Sequence, residues 1–197
     1  MEAGAELIAR MRLICGEQHV LTSPVVLSAY RSDGIVRHGP LPLAAILPGA
    51  PSEVAGVVAA CAAAGVGHVV RGAGTSRTGG ALPVADRVLI VLTRLRRIIG
   101  LSGSELTVEA GVPLAAVPRS PAGRFLDAAE PLLGTVGGHV AQSGALRNVV
   151  ALDLVRPHGT LVHVEAGLPG YDVCGAFPGS AGHAGIAVTI TLRAVAA

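Results

Sequence analysis

A ten-residue stretch, Arg71-Gly72-Ala73-Gly74-Thr75-Ser76-Arg77-Thr78-Gly79-Gly80, follows directly on the short run His68-Val69-Val70, which reads as a strand. Glycine opens backbone conformations closed to other residues and lets a ligand come close to the main chain. A loop built this way can turn successive N–H groups toward one concave point, and the hydroxyls of Thr75, Ser76 and Thr78 add donors for phosphate oxygens. It is neither the G-x-G-x-x-G turn that opens a helix nor the G-x-x-x-x-G-K-[ST] phosphate loop, and the chain contains no lysine to complete the latter. On residues alone it reads either as a phosphate or dinucleotide loop or as a tight structural turn.

The flanking pattern places this loop in an α/β context. Pro51-Ser52-Glu53 suits a helix start, since proline tolerates the first turn and an acidic side chain favours the N-terminus. Val54, Val57, Val58 and Cys61 recur at helical spacing, and Gly65 stops the helix. Val88 to Leu92, Leu106 to Ala110 and Ala187 to Leu192 read as strands, while Val149 to Val155 and Thr160 to Val164 flank Pro157-His158-Gly159 as a hairpin. Before Leu41 the chain is weakly patterned, with Val25 to Tyr30 (VVLSAY) a strand candidate. Gly134-Thr135-Val136-Gly137-Gly138-His139 reads as a second glycine loop. The expected division is an N-terminal segment 1–40, a first subdomain 41–100 and a second, strand-richer subdomain 101–197.

Other chemistries find little support. At 51% hydrophobic and 14% charged, the chain has too much apolar surface to stay disordered. A formal charge of +2, scattered arginines and only four aromatic side chains (Tyr30, Phe125, Tyr171, Phe177) argue against nucleic-acid binding. Arg94, Arg96 and Arg97, the one local cluster, read as a solvated face. Cys15, Cys61 and Cys174 form no metal or redox spacing and read as buried free thiols of a reducing compartment. His139, His158, His163 and His183, with Asp153 and Glu165, match no zinc pattern; they read as solvated or hydrogen-bonded, the two acids on the wet face of strands. Ser143 lies in Gln-Ser-Gly-Ala, not in G-x-S-x-G. Arg10 and Arg12 interrupt the first apolar stretch, against a signal peptide, and Val54 to Val70, broken by Gly65 and Gly67, fits a helix and strand better than a membrane span. A cytoplasmic location is expected.

Four blocks in order carry a family resemblance: PSEVAGVVAACAAAGVGHVVRGAGTSRTGGALP (Pro51 to Pro83), LTVEAGV (Leu106 to Val112), GTVGGHVAQSG (Gly134 to Gly144) and GYDVCGAFPGSAGHAGI (Gly170 to Ile186). Over about Pro48 to Val195 the chain resembles the FAD-binding domain of the FAD-linked oxidase superfamily, of the PCMH or vanillyl-alcohol-oxidase type, nearest the glycolate oxidase and D-lactate dehydrogenase group. That resemblance implies two α+β subdomains, the first with a small parallel sheet and the second with a larger, mostly antiparallel one, FAD lying between them. Cofactor contacts would come from Arg71, Gly72, Ala73, Gly74, Thr75, Ser76, Gly79 and Gly80 along the pyrophosphate, Thr135, Gly137 and Gly138 along the ribityl chain and flavin, and Gly185 and Ile186 at one end of FAD. Members with a covalent flavin usually carry histidine in the first loop; Gly72-Ala73-Gly74-Thr75 here implies non-covalent FAD.

Departures from the family pattern are Ala141-Gln142-Ser143-Gly144-Ala145 after the second loop, a short stretch between Val164 and Gly170, and Gly179-Ser180-Ala181-Gly182-His183-Ala184-Gly185-Ile186 as the final motif. The second subdomain is therefore expected to be shortened. The implied activity is oxidation of a 2-hydroxy acid such as glycolate or D-lactate, with the family's cap domain supplied by a partner subunit. A scaffold that no longer binds FAD, and a domain for another phosphate ligand, are the alternatives.

Overall fold

The computed structural model describes residues 2–35, 38–118, 124–126, 133–142 and 148–195. Helix α1 (Glu2–Cys15) leads to strand β1 (Val20–Leu21), helix α2 (Pro24–Leu27), strand β2 (Ala44–Ile46), helix α3 (Pro51–Ala63), strand β3 (His68–Arg71) and strand β4 (Val88–Val91). Strands β5 (Ile98–Ser102) and β6 (Glu105–Glu109) follow, then helix α4 (Val136–Gln142), strands β7 (Val149–Val155) and β8 (Leu161–Glu165), helix α5 (Val173–Ala176) and strand β9 (Ile186–Arg193).

The first sheet has the order β1-β2-β4-β3. β2 and β3 both run parallel to β4, but β1 is antiparallel to β2, so the sheet is mixed rather than parallel. Two residues, Val20 and Leu21, are too short a run to show a period in the sequence. The sheet is buried on both faces, which explains the unbroken apolar run Val88-Leu89-Ile90-Val91. Ala44, Ile46, Val88 and Ile90 join the main core with α3, while Ala45, Leu89 and Val91 pack under Leu27 of α2.

The strand expected at Val25 to Tyr30 is instead α2 followed by a 3-10 turn, Ser28–Tyr30. Pro24 presets the first helical turn, and the Ser28 hydroxyl donates back to the Val25 carbonyl at 2.6 Å. Val25 is 82% exposed, so its β-branched side chain is not packed as a strand would pack it.

The second sheet, β5-β6-β9-β7-β8, is antiparallel throughout. Helix α3 packs against both the first sheet's side of the core and strands β7, β8 and β9 of the second. Its Val54, Val57, Val58 and Cys61 are buried as their spacing predicts, and Gly65 ends it at φ +65°. The buried Glu109 carboxylate accepts three bonds from Arg97, one from its backbone N–H at 2.8 Å and two from its guanidinium at 2.8 and 2.9 Å. Arg94 donates to the Leu47 carbonyl at 2.6 Å. The arginine cluster is thus only partly a solvated face: Arg94 and Arg97 tie the segment between the sheets to both.

Candidate functional site

The first glycine stretch leaves the C-terminal end of β3 and forms one wall of a cleft of about 670 Å³, within the roughly 300–1,000 Å³ typical of ligand sites. Gly74 sits at φ +76°, and a side chain there would also run into the Arg71 guanidinium. Gly72 is required by approach rather than by φ, because a Cβ on it would collide with the Thr135 hydroxyl of the opposite wall. The two glycine-rich segments therefore touch through an atom that only glycine leaves room for.

Arg71 does not line the cleft. Its side chain is buried behind the loop, where one terminal nitrogen donates to the carbonyls of Tyr30 (3.3 Å), Ser32 (2.9 Å) and Ala81 (3.1 Å). Burial lowers its pKa from the ordinary arginine value, yet a guanidinium stays charged at neutral pH. Gly34 adds a backbone bond to the Ser76 carbonyl at 2.9 Å. The weakly patterned N-terminal residues thus form the backing of the loop, a role with no local signal in the chain.

The opposite wall begins at Gly134 and Thr135, but Val136 to Gln142 is helical, so the second segment is the entry to α4 rather than a free loop. Two glycines argue against a helix by propensity; packing overrides it. The Gly137 N–H donates to the Ala110 carbonyl at 2.8 Å and the Val136 N–H to Val112 at 2.9 Å, seating α4 on the end of β6. Val155, Arg156, Pro157 and residues around Gly185 and Ile186 complete the wall.

Of the residues expected to hold a cofactor, Gly72, Ala73, Gly74, Thr75, Ser76, Gly80, Thr135, Gly137, Gly138, Gly185 and Ile186 line this one cleft, whereas Arg71 and Gly79 do not. Gln142 and Arg156 also line it and carried no sequence signal, because each is brought there by its own element's packing. Among the described residues the lining contains no Asp or Glu; it does contain the guanidinium-bearing Arg77 and Arg156. His68, His139 and His183 line it too, and burial beside Arg87 holds His68 below the ordinary imidazole pKa, hence neutral. These residues suit an anion and none of them repels one.

The other sequence candidates lie outside this lining. His163 bridges the carboxylates of Asp153 (2.6 Å) and Glu165 (3.2 Å) on an open sheet face, as solvated, hydrogen-bonded groups should. Bonding first to Asp153 and then to Glu165 raises the imidazole pKa above 6.5. The protonated form therefore favours folding below the unfolded pKa, and that contribution fades as pH rises through the folded value. Melting temperatures of wild type and H163Q should differ in acid and converge toward alkaline pH; a constant gap would refute the linkage. Among the described residues no group of His, Cys, Asp and Glu is placed to hold a metal ion. Cys15 and Cys61 are buried thiols whose pKa values desolvation pushes up to about 12 and about 11, and Cys174 is buried and raised as well. Ser143 lies outside the described residues. No helix among the described residues is long and apolar enough to cross a membrane.

The geometry can be set beside known proteins. Residues 42–165 match the model of a family described as FAD binding domain. The glycolate oxidase subunit GlcD of Escherichia coli (strain K12) is 28% identical over 183 residues, covering 83% of this chain and 37% of that protein. A D-2-hydroxyglutarate dehydrogenase of Xanthomonas citri pv. viticola is 33% identical over 192 residues, covering 87% of this chain and 41% of that protein. The structure of alkyldihydroxyacetonephosphate synthase superposes with a TM-score of 0.78 at 16% identity, over 95% of this chain and 40% of that one, which shows a shared fold. The chain thus spans about two fifths of the length of the relatives it matches.

Proposed function

The chain belongs to the FAD binding domain family, and from that premise we propose that its cleft holds FAD non-covalently, with residues 41–100 and 101–197 as the two subdomains that enclose it. One observation carries this reading: both glycine-rich segments face a single cleft of about 670 Å³ whose lining, among the described residues, has arginine but no carboxylate. The donor set fits the group. Backbone around Gly72 to Gly80 and the hydroxyls of Thr75, Ser76 and Thr78 suit a pyrophosphate. Thr135, Gly137, Gly138, Gly185 and Ile186 suit the parts of the molecule on either side of it. Arg71 acts from behind the loop and Gly79 turns it at φ +84°, shaping it without touching the ligand.

When bound, FAD supplies acceptance of two electrons from a reduced substrate. The named relatives are a glycolate oxidase subunit and a D-2-hydroxyglutarate dehydrogenase, which supports a 2-hydroxy acid as that substrate. Among the described residues none in the lining is an acid, and the chain has no lysine, so we assign substrate binding to groups outside this cleft, on a cap domain or partner subunit. The chain's own part is to bind, orient and desolvate the cofactor.

Purified protein should be yellow, release its flavin on acid precipitation, and gain thermal stability from added FAD, about 2.7 kcal/mol at a hundredfold excess over Kd. ADP-ribose, which shares the doubly esterified pyrophosphate, should stabilise it more weakly, and riboflavin hardly at all. A folded protein that ignores saturating FAD in both assays would overturn the reading.

A further inference from the structure

The two edges of the second sheet meet their surroundings differently. At one edge, β8 carries His163 and Glu165 bonded to each other at 3.2 Å, and α5 sits beside it, with Cys174 Sγ donating to the Val164 carbonyl at 3.6 Å. Charged and covered edges of this kind discourage pairing with another chain. At the other edge, β5 reads Ile98-Ile99-Gly100-Leu101-Ser102, without a charge or a proline, and all five residues are exposed. Ile99 is 55% exposed and Leu101 47%. Ile98 and Leu101 are registered opposite the fully buried Val108 and Leu106, so they carry the core face of the sheet out past its last strand. Among the described residues no strand pairs with the outer side of β5.

We propose that β5 is a self-docking edge, through which two copies of this chain join antiparallel and fuse their five-stranded sheets across a two-fold axis at Gly100. The turn fixes which backbone groups are free. Gly103, at φ +56°, and Ser104 form a two-residue hairpin loop, so Ser102 and Glu105 are its hydrogen-bonded closing pair. Alternation then turns the N–H and C=O of Leu101 and Ile99 away from β6, and the irregularity between Ile98 and Gly100 ends the regular run. Antiparallel pairing centred on Gly100 sets Leu101 of each copy against Ile99 of the other, which satisfies these outward groups. Charge favours the same direction. Arg96 is exposed, with no hydrogen bond or ion pair among the described residues, and would come beside Ser104 and Glu105 of the second copy. Glu105 accepts from Arg193 at 2.8 Å and keeps lone pairs for a second donor. Parallel pairing would instead set Arg96 beside Arg96. Because the guarded β8 edge cannot extend the sheet further, assembly stops at two copies. No residue of β5 lines the cleft, so the inference stands apart from the flavin reading.

Sedimentation of the intact chain from about 1 μM to about 1 mM should show monomer passing to dimer and nothing larger, a weak association that suits a short interface. Ile99→Glu and Leu101→Lys should each weaken the dimer by at least about 30-fold, because the two-fold axis makes every change strike twice. Mixed in equal amounts, the two variants should recover a dimer of at least wild-type strength. The new carboxylate of one then faces the new ammonium of the other, while leucine still meets isoleucine in the second pair. Both positions are about half exposed, so each variant alone should keep the far-ultraviolet spectrum of wild type. Wild type also gives a reading that needs no variant. Exchange of the Ile99 and Leu101 amide hydrogens should slow as concentration rises, while that of Gly100, bonded within the sheet, should not change. A chain that stays monomeric, outward amides whose exchange ignores concentration, a dimer that either variant leaves at full strength, or variants that stay apart when mixed would overturn the inference.

Discussion

Replacing Arg71 with methionine should lower the unfolding free energy by about 3 kcal/mol and abolish retention of flavin. The guanidinium is buried and serves three carbonyls, those of Tyr30, Ser32 and Ala81, none of which can turn to water without moving backbone. Methionine fills much of the volume but leaves those acceptors unpaired, and each unsatisfied group costs about 1–3 kcal/mol, partly recovered by relaxation. Relaxation is what would destroy the site, since Ala81 closes the glycine loop and Ser32 leads to Gly34, which holds the Ser76 carbonyl. Urea unfolding would show a lower midpoint at unchanged slope. A midpoint within experimental error of wild type would show that the clamp carries no stability.

The second large effect concerns occupancy more than folding. Gly72→Val should weaken FAD and ADP-ribose by at least about 100-fold while costing about 1–3 kcal/mol of stability. The added Cβ collides with the Thr135 hydroxyl, so the two walls of the cleft must separate. Two companions make the result specific. Gly72→Ala combined with Thr135→Ala removes the colliding oxygen and should recover affinity relative to Gly72→Ala alone. Gly100→Ala has open space around it and should change neither stability nor binding. If Gly72→Val binds as wild type does, or if removing the Thr135 hydroxyl gives no relief, the contact between walls is not what shapes the cleft.

Legibility in the sequence followed how local each determinant was. The α3 spacing, the Pro51 start and the Gly65 stop are properties of neighbouring residues, and the helix forms where they place it. Alternation in Leu106 to Ala110 and in Ala187 to Leu192 likewise marks strands, β6 and β9, although in β9 Ala187 and Thr189 are buried on the second face as well. Where packing decided, local signals misled. Val25 and Val26 are β-branched yet helical behind Pro24, Gly137 and Gly138 are poor helix formers yet helical against Ala110, and β1 is too short to announce itself.

From sequence alone came the glycine loop after β3, its hydroxyls, and the order of blocks that places the chain in its family, because loops that approach a ligand need particular residues at particular places. Tertiary structure alone decided which of those residues face the cleft. It put Arg71 and Gly79 outside the lining, brought Arg156 and Gln142 into it, and made the N-terminal segment the brace behind the loop. The reason is directional: a side chain's contacts depend on where distant backbone arrives, and residues 39 to 66 positions apart, as in Ser32 with Arg71 and Ser76 with Gln142, leave no periodic trace of their meeting.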